Sequence, residues 1–240
     1  MIKPRLKVFV DFDGTITLED VGEAIFRKFG DDEKVNQIIE DLLRDKISSR
    51  QCWDELCDSV NVVSKNELDK FIDLIDVDPT FLPFVKFCSD NELELVVLSD
   101  GFDYYIDRLF NKAGLTGIKY YSNKLFVNEN GILKAEYPYF DNDSPTSANC
   151  KRNHIINHSS DDDYTIYIGD GNSDKDAAQY CDFIFGKDAL ARFCSMERIS
   201  FYPFNNFEDV KSKITVLLEK KNSRKRHQAQ LKTKSAYLAE

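Results

Sequence analysis

The chain has 240 residues, of which 42% are hydrophobic and 12% aromatic, with 18 Phe and 11 Tyr; this excludes an intrinsically disordered chain, and a sequence of this length buries roughly 70–75% of its unfolded surface. Its 42 acidic residues outnumber 32 Lys and Arg, for a net charge of -10, which argues against nucleic acid as a partner while leaving a small anion compatible if local groups or a metal collect it. No apolar run approaches the ~18–20 residues of a bilayer span, and Met1-Ile2-Lys3-Pro4 does not resemble a secretory leader, so the expectation is a cytoplasmic protein with no membrane partner, as a monomer or homodimer.

Leu6–Val10 is short and nearly all apolar, as a strand covered on both faces should be, and it runs directly into Asp11. From Leu18 to about Asp78 the apolar positions follow helical spacing in four short groups: Val21, Ile25, Phe29; Ile38, Leu42; Trp53, Leu56, Val60; and Leu68, Ile72, Ile75. Pro79 and Pro83 punctuate the return to a strand-and-helix pattern, with a helix around Phe84–Cys88 and a strand over Leu93–Leu98. After Ser99-Asp100-Gly101 a helix runs to about Ala113, closed by Gly114. Lys124–Val127 and Ile132–Tyr137 flank Asn128-Glu129-Asn130-Gly131 and read as a hairpin. A helix follows from about Lys151, then strands at Tyr164–Ile168 and Phe183–Phe185 and a helix over Phe207–Lys220; the basic tail, with Lys221, Arg224, Lys225, Arg226, Lys232 and Lys234, reads as a solvated helix or a frayed end.

Alternating strands and helices imply right-handed crossovers and a parallel sheet. The expected fold is therefore α/β, a three-layer Rossmann-like parallel sheet with a small helical-bundle cap inserted at 18–78 and a core made of 1–17 and 79–240. Six cysteines (Cys52, Cys57, Cys88, Cys150, Cys181, Cys194) contain no C-x-x-C pair and read as buried free thiols. His154 and His158 stand at i, i+4 without an evident third ligand, so a satisfied helical pair outweighs a metal site.

Chemistry-bearing residues follow three of the strands: Asp11 and Asp13 the first, Ser99 the second, Asp170 and Asp174 a third. The carboxyl edge of a parallel sheet is where ligands bind. Carboxylates gathered there without compensation raise one another's pKa, so a hard oxygen-seeking cation is the natural partner, and Mg²⁺ with one or two carboxylates and a substrate phosphate is the default. Within D-F-D-G-T-I-T, Gly14 permits close backbone approach and Thr15 and Thr17 add hydroxyls.

Asp11–Thr15, a strand-terminal Ser99, Lys151 and G-D-G-N-S-D at Gly169–Asp174 resemble the four ordered motifs of haloacid dehalogenase superfamily phosphatases. The helical insertion resembles the phosphoserine phosphatase-like subgroup, which also holds phosphocholine/phosphoethanolamine phosphatases and 2-hydroxy-3-keto-5-methylthiopentenyl-1-phosphate phosphatases; D-F-D-G-T-I-T, S-D-G-F-D and Cys150-Lys151 resemble the last family most. Phosphoserine phosphatases usually have S-G-G where this chain has Ser99-Asp100-Gly101. The resemblance implies a Mg²⁺-dependent phosphatase acting on a small phosphorylated metabolite through an aspartyl-phosphate. It implies Asp11 as nucleophile, Asp13 as acid and base, and Asp11, Asp13, Asp170 and Asp174 around the metal. Thr15, Ser99, Asp100, Gly101 and Lys151 would take the phosphate. Caps of this subgroup place a polar residue at the position of Asp20, which implies substrate contact; its other reading is a helix cap. A phosphomutase or phosphotransferase shares every core residue. A phospho-accepting signalling domain is the non-enzymatic alternative, and Asp13 argues against it, because a long-lived phospho-aspartate has no use for an adjacent acid/base.

Overall fold

A computed structural model describes residues 5–220 and 224–239. In chain order the elements are β1 (Leu6–Val10), α1 (Val21–Phe29), α2 (Asp32–Leu43), α3 (Ser49–Ser59), α4 (Lys65–Ile72), α5 (Phe81–Asp90), β2 (Glu94–Phe102), α6 (Asp103–Lys112), β3 (Lys119–Val127) and β4 (Leu133–Glu136), followed by α7 (Lys151–His158), β5 (Tyr164–Gly169), α8 (Asp174–Ala178), β6 (Phe183–Gly186), α9 (Asp188–Met196), β7 (Tyr202–Pro203), α10 (Phe207–Glu219) and α11 (His227–Ala239). The sheet order is β4-β3-β2-β1-β5-β6-β7. The β1 pairings with β2 and β5, and those of β5–β6 and β6–β7, are parallel, while β3 and β4 form an antiparallel hairpin. No helix of the described residues is long and apolar enough to cross a membrane.

The chain divides into two compact units. One comprises the residues up to Ile16, Asp78–Leu98 and everything from Lys151. At its centre β1 is bonded on both sides, Val10 lying opposite Val97 and Ile168, and Val8, Phe9 and Val10 are fully buried. That double coverage is why the strand shows no polar alternation. Behind the sheet, Phe207 at the start of α10 meets Phe81 and Phe84 of α5, with ring centroids 4.8 and 5.2 Å apart. The Phe207 amide donates to Thr80 Oγ1 at 3.0 Å, fixing the start of α10 against the start of α5.

The second unit comprises Thr17–Val77 and Ser99–Cys150. Its four helices α1–α4 begin at Asp20, Asp31, Ser48 and Ser64, each accepting from a backbone amide three residues on, and Ser48 with Gln51 completes a capping box. The expected insertion at 18–78 is thus one of two stretches in this unit. Side chains explain why 99–150 joins it: Arg108 of α6 grips Asp73 through two bonds of 2.7 and 2.5 Å, Tyr104 donates to Asp69 at 2.7 Å, and Tyr137 donates to Asp54 at 2.7 Å. The hairpin turn closes on Asn128, whose side-chain oxygen takes the amides of Asn130 and Ile132, both at 2.9 Å.

Three elements escape the periodicity: α8, β7 and α9 are short or flanked by polar residues. Strand β2 continues through Ser99-Asp100-Gly101 to Phe102 rather than ending at Leu98. In the tail α11 is the expected helix, with Lys232 and Lys234 exposed, and Lys221 lies outside the described residues; Arg226 departs from expectation, being half-buried with its guanidinium bonded to backbone carbonyls of the first unit. All six cysteines are free and buried, as expected.

Phe207→Ala removes the ring shared by Phe81 and Phe84, and a buried Phe→Ala change costs about 3–5 kcal/mol. Urea denaturation is expected to show a loss in that range, whereas a loss near that of a surface substitution would contradict the packing described.

Candidate active site

The site in the first unit begins where β1 ends. The Asp11 amide donates to Ile168 O of β5 at 2.9 Å, which ties the residue to the central strands. Phe12 O then accepts the amides of Thr15 and Ile16 at 3.3 and 2.9 Å, so the chain curls tightly over Asp13 and Gly14. Gly14 sits at φ +74°, and a Cβ there would lie 2.7 Å from Asp170 Oδ2; both the conformation and the close approach call for glycine. Thr15, next in the turn, donates to Asp170 Oδ1 at 2.6 Å.

β5 delivers the opposing acids. Asp174, the first residue of α8, is wholly buried, and its Oδ2 accepts the amides of Asp170 and Gly171 at 3.0 and 2.9 Å. Its Oδ1 accepts from Tyr167 Oη at 2.6 Å and from Lys151 Nζ at 2.7 Å. A Cβ on Gly169 would come 2.4 Å from Asp174 Oδ2, so this turn also needs a missing side chain. With four donors on its two oxygens, Asp174 has its lone-pair directions filled.

Lys151 opens α7 and is 3% exposed. Its Nζ donates to Asp11 Oδ1 at 2.5 Å, Asp174 Oδ1 at 2.7 Å and Ser173 Oγ at 3.1 Å, using all three hydrogens. Burial works against its charge, yet Asp11 and Asp174 more than offset this and hold the ammonium above the usual lysine range. Asp11 is pushed well above the carboxylate range, first by burial and then by Asp174, with Lys151 opposing. Asp170 is raised to about 6, first by burial and then by Asp174, against the lowering effect of the Thr15 hydroxyl. Asp11 and Asp174 thus share the one ammonium, Asp170 stands beside them without a bond to it, and the local charge favours a further cation.

The geometry fits a divalent metal. Asp11, Asp170 and Asp174 each place an oxygen within 4.8 Å of the others, although both oxygens of Asp174 already accept two bonds each. An all-oxygen, carboxylate-rich donor set suits a hard ion such as Mg²⁺. Among the described residues, Asp11 Oδ2 carries no hydrogen bond, since Lys151 takes Oδ1.

The structure therefore gathers Asp11, Thr15, Lys151, Asp170 and Asp174, with Asp13 half-buried on the same turn as Gly14. Ser99, Asp100, Gly101 and Asp20 belong to the second unit. There Ser99 is fully buried, and its Oγ accepts the Gly101 amide at 2.9 Å. Asp100 accepts from Ser49 Oγ and from the amides of Ala148 and Asn149, the latter two at 3.1 and 2.7 Å. Asp20 is exposed and accepts the Glu23 amide at 2.8 Å, which is the helix-cap geometry. His154 is buried, and burial followed by the charge of His158 lowers it to about 4, leaving a neutral ring. Sequence reasoning missed Tyr167 and Ser173. A hydroxyl-bearing aromatic in a buried strand needs a polar partner, and this was the available signal for Tyr167.

Residues 6–198 match the family described as Putative Phosphatase. Pdp3-interacting factor 1 of Schizosaccharomyces pombe is 31% identical over 219 residues, covering 87% of this chain and 94% of that protein. The 2-hydroxy-3-keto-5-methylthiopentenyl-1-phosphate phosphatase of Bacillus mycoides is 29% identical over 217 residues, covering 90% of this chain and 99% of its own. Among solved structures, a phosphoserine phosphatase as a phospho-aspartyl intermediate analogue superposes with a TM-score of 0.67 at 17% identity, over 88% of this chain and 99% of that one. A phosphoserine phosphohydrolase-like protein from Francisella tularensis gives 0.66 at 16% identity, over 88% and 100%. The structural likenesses show that the α/β fold is that of the phosphoserine phosphatases.

A carboxyl whose folded pKa is raised contributes stability that is present below its unfolded value and lost as pH rises through the folded one. Without metal, the unfolding temperature of the unmodified chain relative to Asp170→Asn is therefore expected to fall as pH rises from the ordinary carboxylate range, near 3.8, and to level off once pH passes about 6. Added Mg²⁺ at pH 7 should raise the unmodified chain and not the variant. A difference that is flat in pH, or equal stabilisation of both proteins by Mg²⁺, would contradict this charge balance.

Proposed function

The chain belongs to the Putative Phosphatase family and is a phosphatase of the haloacid dehalogenase type, and from that premise we propose that it hydrolyses a small phosphomonoester through an aspartyl-phosphate on Asp11. The supporting observation is the asymmetry of that carboxylate, in which Oδ1 is held by Lys151 and Oδ2 is left to attack. The Oδ2–P bond forms as the bond from phosphorus to the ester oxygen breaks, and Asp13 gives its proton to the departing alkoxide. Water then attacks phosphorus, Asp13 takes the water's proton, and Asp11 is released with inorganic phosphate.

Asp11 and Asp170, with the Asp13 carbonyl, would hold Mg²⁺, which when bound offsets the repulsion between a carboxylate and an anionic phosphate. Asp174 contributes from behind: its four bonds fix Lys151, the start of α8 and the Asp170-Gly171 backbone. Lys151 and Ser99 are assigned to the non-bridging phosphate oxygens by their places in the motif order, with Thr15 and Gly101 beside them and Asp100 supporting the backbone next to Ser99. Asp20 is assigned to substrate selection in addition to its capping bond.

The enediol phosphate named for the Bacillus mycoides relative is the first substrate to test. Phosphoserine, phosphoethanolamine and phosphocholine are the comparators, the first favoured by the fold likeness. A phosphate-release screen over these compounds, with Mg²⁺ and with EDTA, decides among them, and full activity in excess EDTA would refute the scheme.

Asp11→Asn preserves shape and removes the attacking charge, so turnover is expected to drop by several orders of magnitude in a folded protein; near-normal phosphate release would remove Asp11 from its role. Asp13→Asn keeps the backbone carbonyl and loses proton transfer, worth typically 10²–10⁴-fold. The loss should be larger for alkyl phosphates than for p-nitrophenyl phosphate, whose leaving group needs little protonation, and equal losses on the two substrates would count against Asp13 as the acid.

A further inference from the structure

We propose that the C-terminal segment is a latch on α8 and that Arg226 is a positioning residue for the acids at the opposite end of that helix. The inference rests on the assignment of Asp170 and Asp174 to the active site. Arg226 itself lies beyond residues 6–198, the stretch matched by the family.

α8 spans only Asp174–Ala178. Five residues form little more than one turn, too short to be stable alone, and the carbonyls at a helix end lack intrahelical partners. Here the Gln179, Tyr180 and Cys181 amides turn back onto Asp176, Ala177 and Ala178 O, and Arg226 adds side-chain donors to Ala178 O and to two carbonyls just beyond the helix. Its Nη2 donates to Ala178 O at 3.1 Å and Gln179 O at 2.5 Å, and its Nε donates to Cys181 O at 2.8 Å. A fork of fixed donors on a helix C-terminus also places positive charge at the negative end of the dipole.

The latch is fastened twice. The Arg226 amide donates to Asp182 Oδ1 at 3.0 Å, while Oδ2 of the same carboxylate accepts the Thr165 amide of β5 at 3.0 Å. One aspartate thus joins the tail to the strand that carries Gly169 and Asp170. Arg226 is half-buried, and burial lowers its pKa from the usual value, so part of its hydration is exchanged for carbonyl partners.

At the other end of α8, Asp174 holds the amides of Asp170 and Gly171. A turn of this length spans roughly 7.5 Å, so the grip of Arg226 reaches the acids through one short rigid element. If α8 tilts, Asp174 moves, and Lys151 and the Asp170 loop move with it. Misplacement of catalytic groups by about 1 Å can cost on the order of 10²-fold in rate.

The test compares Arg226→Gln, Arg226→Lys and Lys225→Gln in the full chain by amide hydrogen exchange and steady-state phosphate release. Lys225 is the control, since its Nζ donates to Asp161 O rather than to α8. In Arg226→Gln the Asp170 and Gly171 amides should exchange about 10-fold faster, with kcat down by roughly 10- to 100-fold and KM within twofold. Arg226→Lys, which keeps the charge but not the fork, should be intermediate, and it decides the matter by exchange alone if the glutamine variant does not fold. Lys225→Gln should leave both amides and kcat unchanged. Unaltered exchange at Asp170 and Gly171 in both Arg226 variants, or an equal effect of Lys225→Gln, would overturn the proposal and leave Arg226 as an anchor of the tail alone. Asp170→Ala, assayed in parallel, separates the two readings: retained activity there would defeat the active-site assignment, whereas the exchange data judge the latch independently.

Discussion

Everything in the first unit is arranged around one electrostatic problem, the burial of carboxylates beside one another. Asp11 and Asp174 are 4% and 0% exposed, and charges placed so close in a poorly screened interior repel strongly. The lysine that relieves them has to be equally buried and has to reach both. Lys151 does so from the first turn of α7, a helix remote in sequence from either acid. The two acids flanking the cluster are then treated differently. Asp174 is saturated with donors and serves as an internal joint, whereas Asp170 keeps fewer side-chain bonds and an elevated pKa, as suits a group awaiting a cation.

The backbone is shaped by the same requirement. Carboxylates approach the chain so closely that Gly14 and Gly169 have no space for a Cβ. The parallel pairing of β1 with β5, with Val10 opposite Ile168, brings Asp11 and Asp170 to the same sheet edge. The fold supplies the convergence, and individual atoms supply the neutralisation.

Much of this was legible in the sequence because it is written in short, local signals. An apolar strand followed by D-F-D-G-T needs no tertiary information to be recognised, and the helical spacing of 18–78 foretold four helices. The strands and helix of 99–150 look like ordinary α/β elements, and β3 and β4 do join the sheet; the side-chain bonds that tie this segment to Thr17–Val77, Arg108 to Asp73 and Tyr137 to Asp54 among them, are what no periodicity encodes. Within the tail, Arg226 misled for a related reason. A run of Lys and Arg ordinarily faces water, and nothing local distinguishes Arg226 from its neighbours until the carbonyls at the exit of α8 are in view.

Asp100 shows how a motif residue acquires its meaning from its partners. An acid next to the serine proposed to take the phosphate would by itself repel it, which makes the departure from S-G-G hard to understand from sequence alone. In the structure the carboxylate is engaged by the Ser49 hydroxyl and by two successive amides, and its own carbonyl accepts from Asn123 at 2.6 Å. The Asn149 side chain completes the network by donating to Ser99 O at 2.8 Å. A negative charge tied to that many donors is largely neutralised by them. Ser99 Oγ is oriented by the Gly101 amide within the same network. The aspartate therefore stiffens the second motif where glycine would leave it pliable, and the acidic side chain becomes compatible with an anionic substrate because its charge is already satisfied.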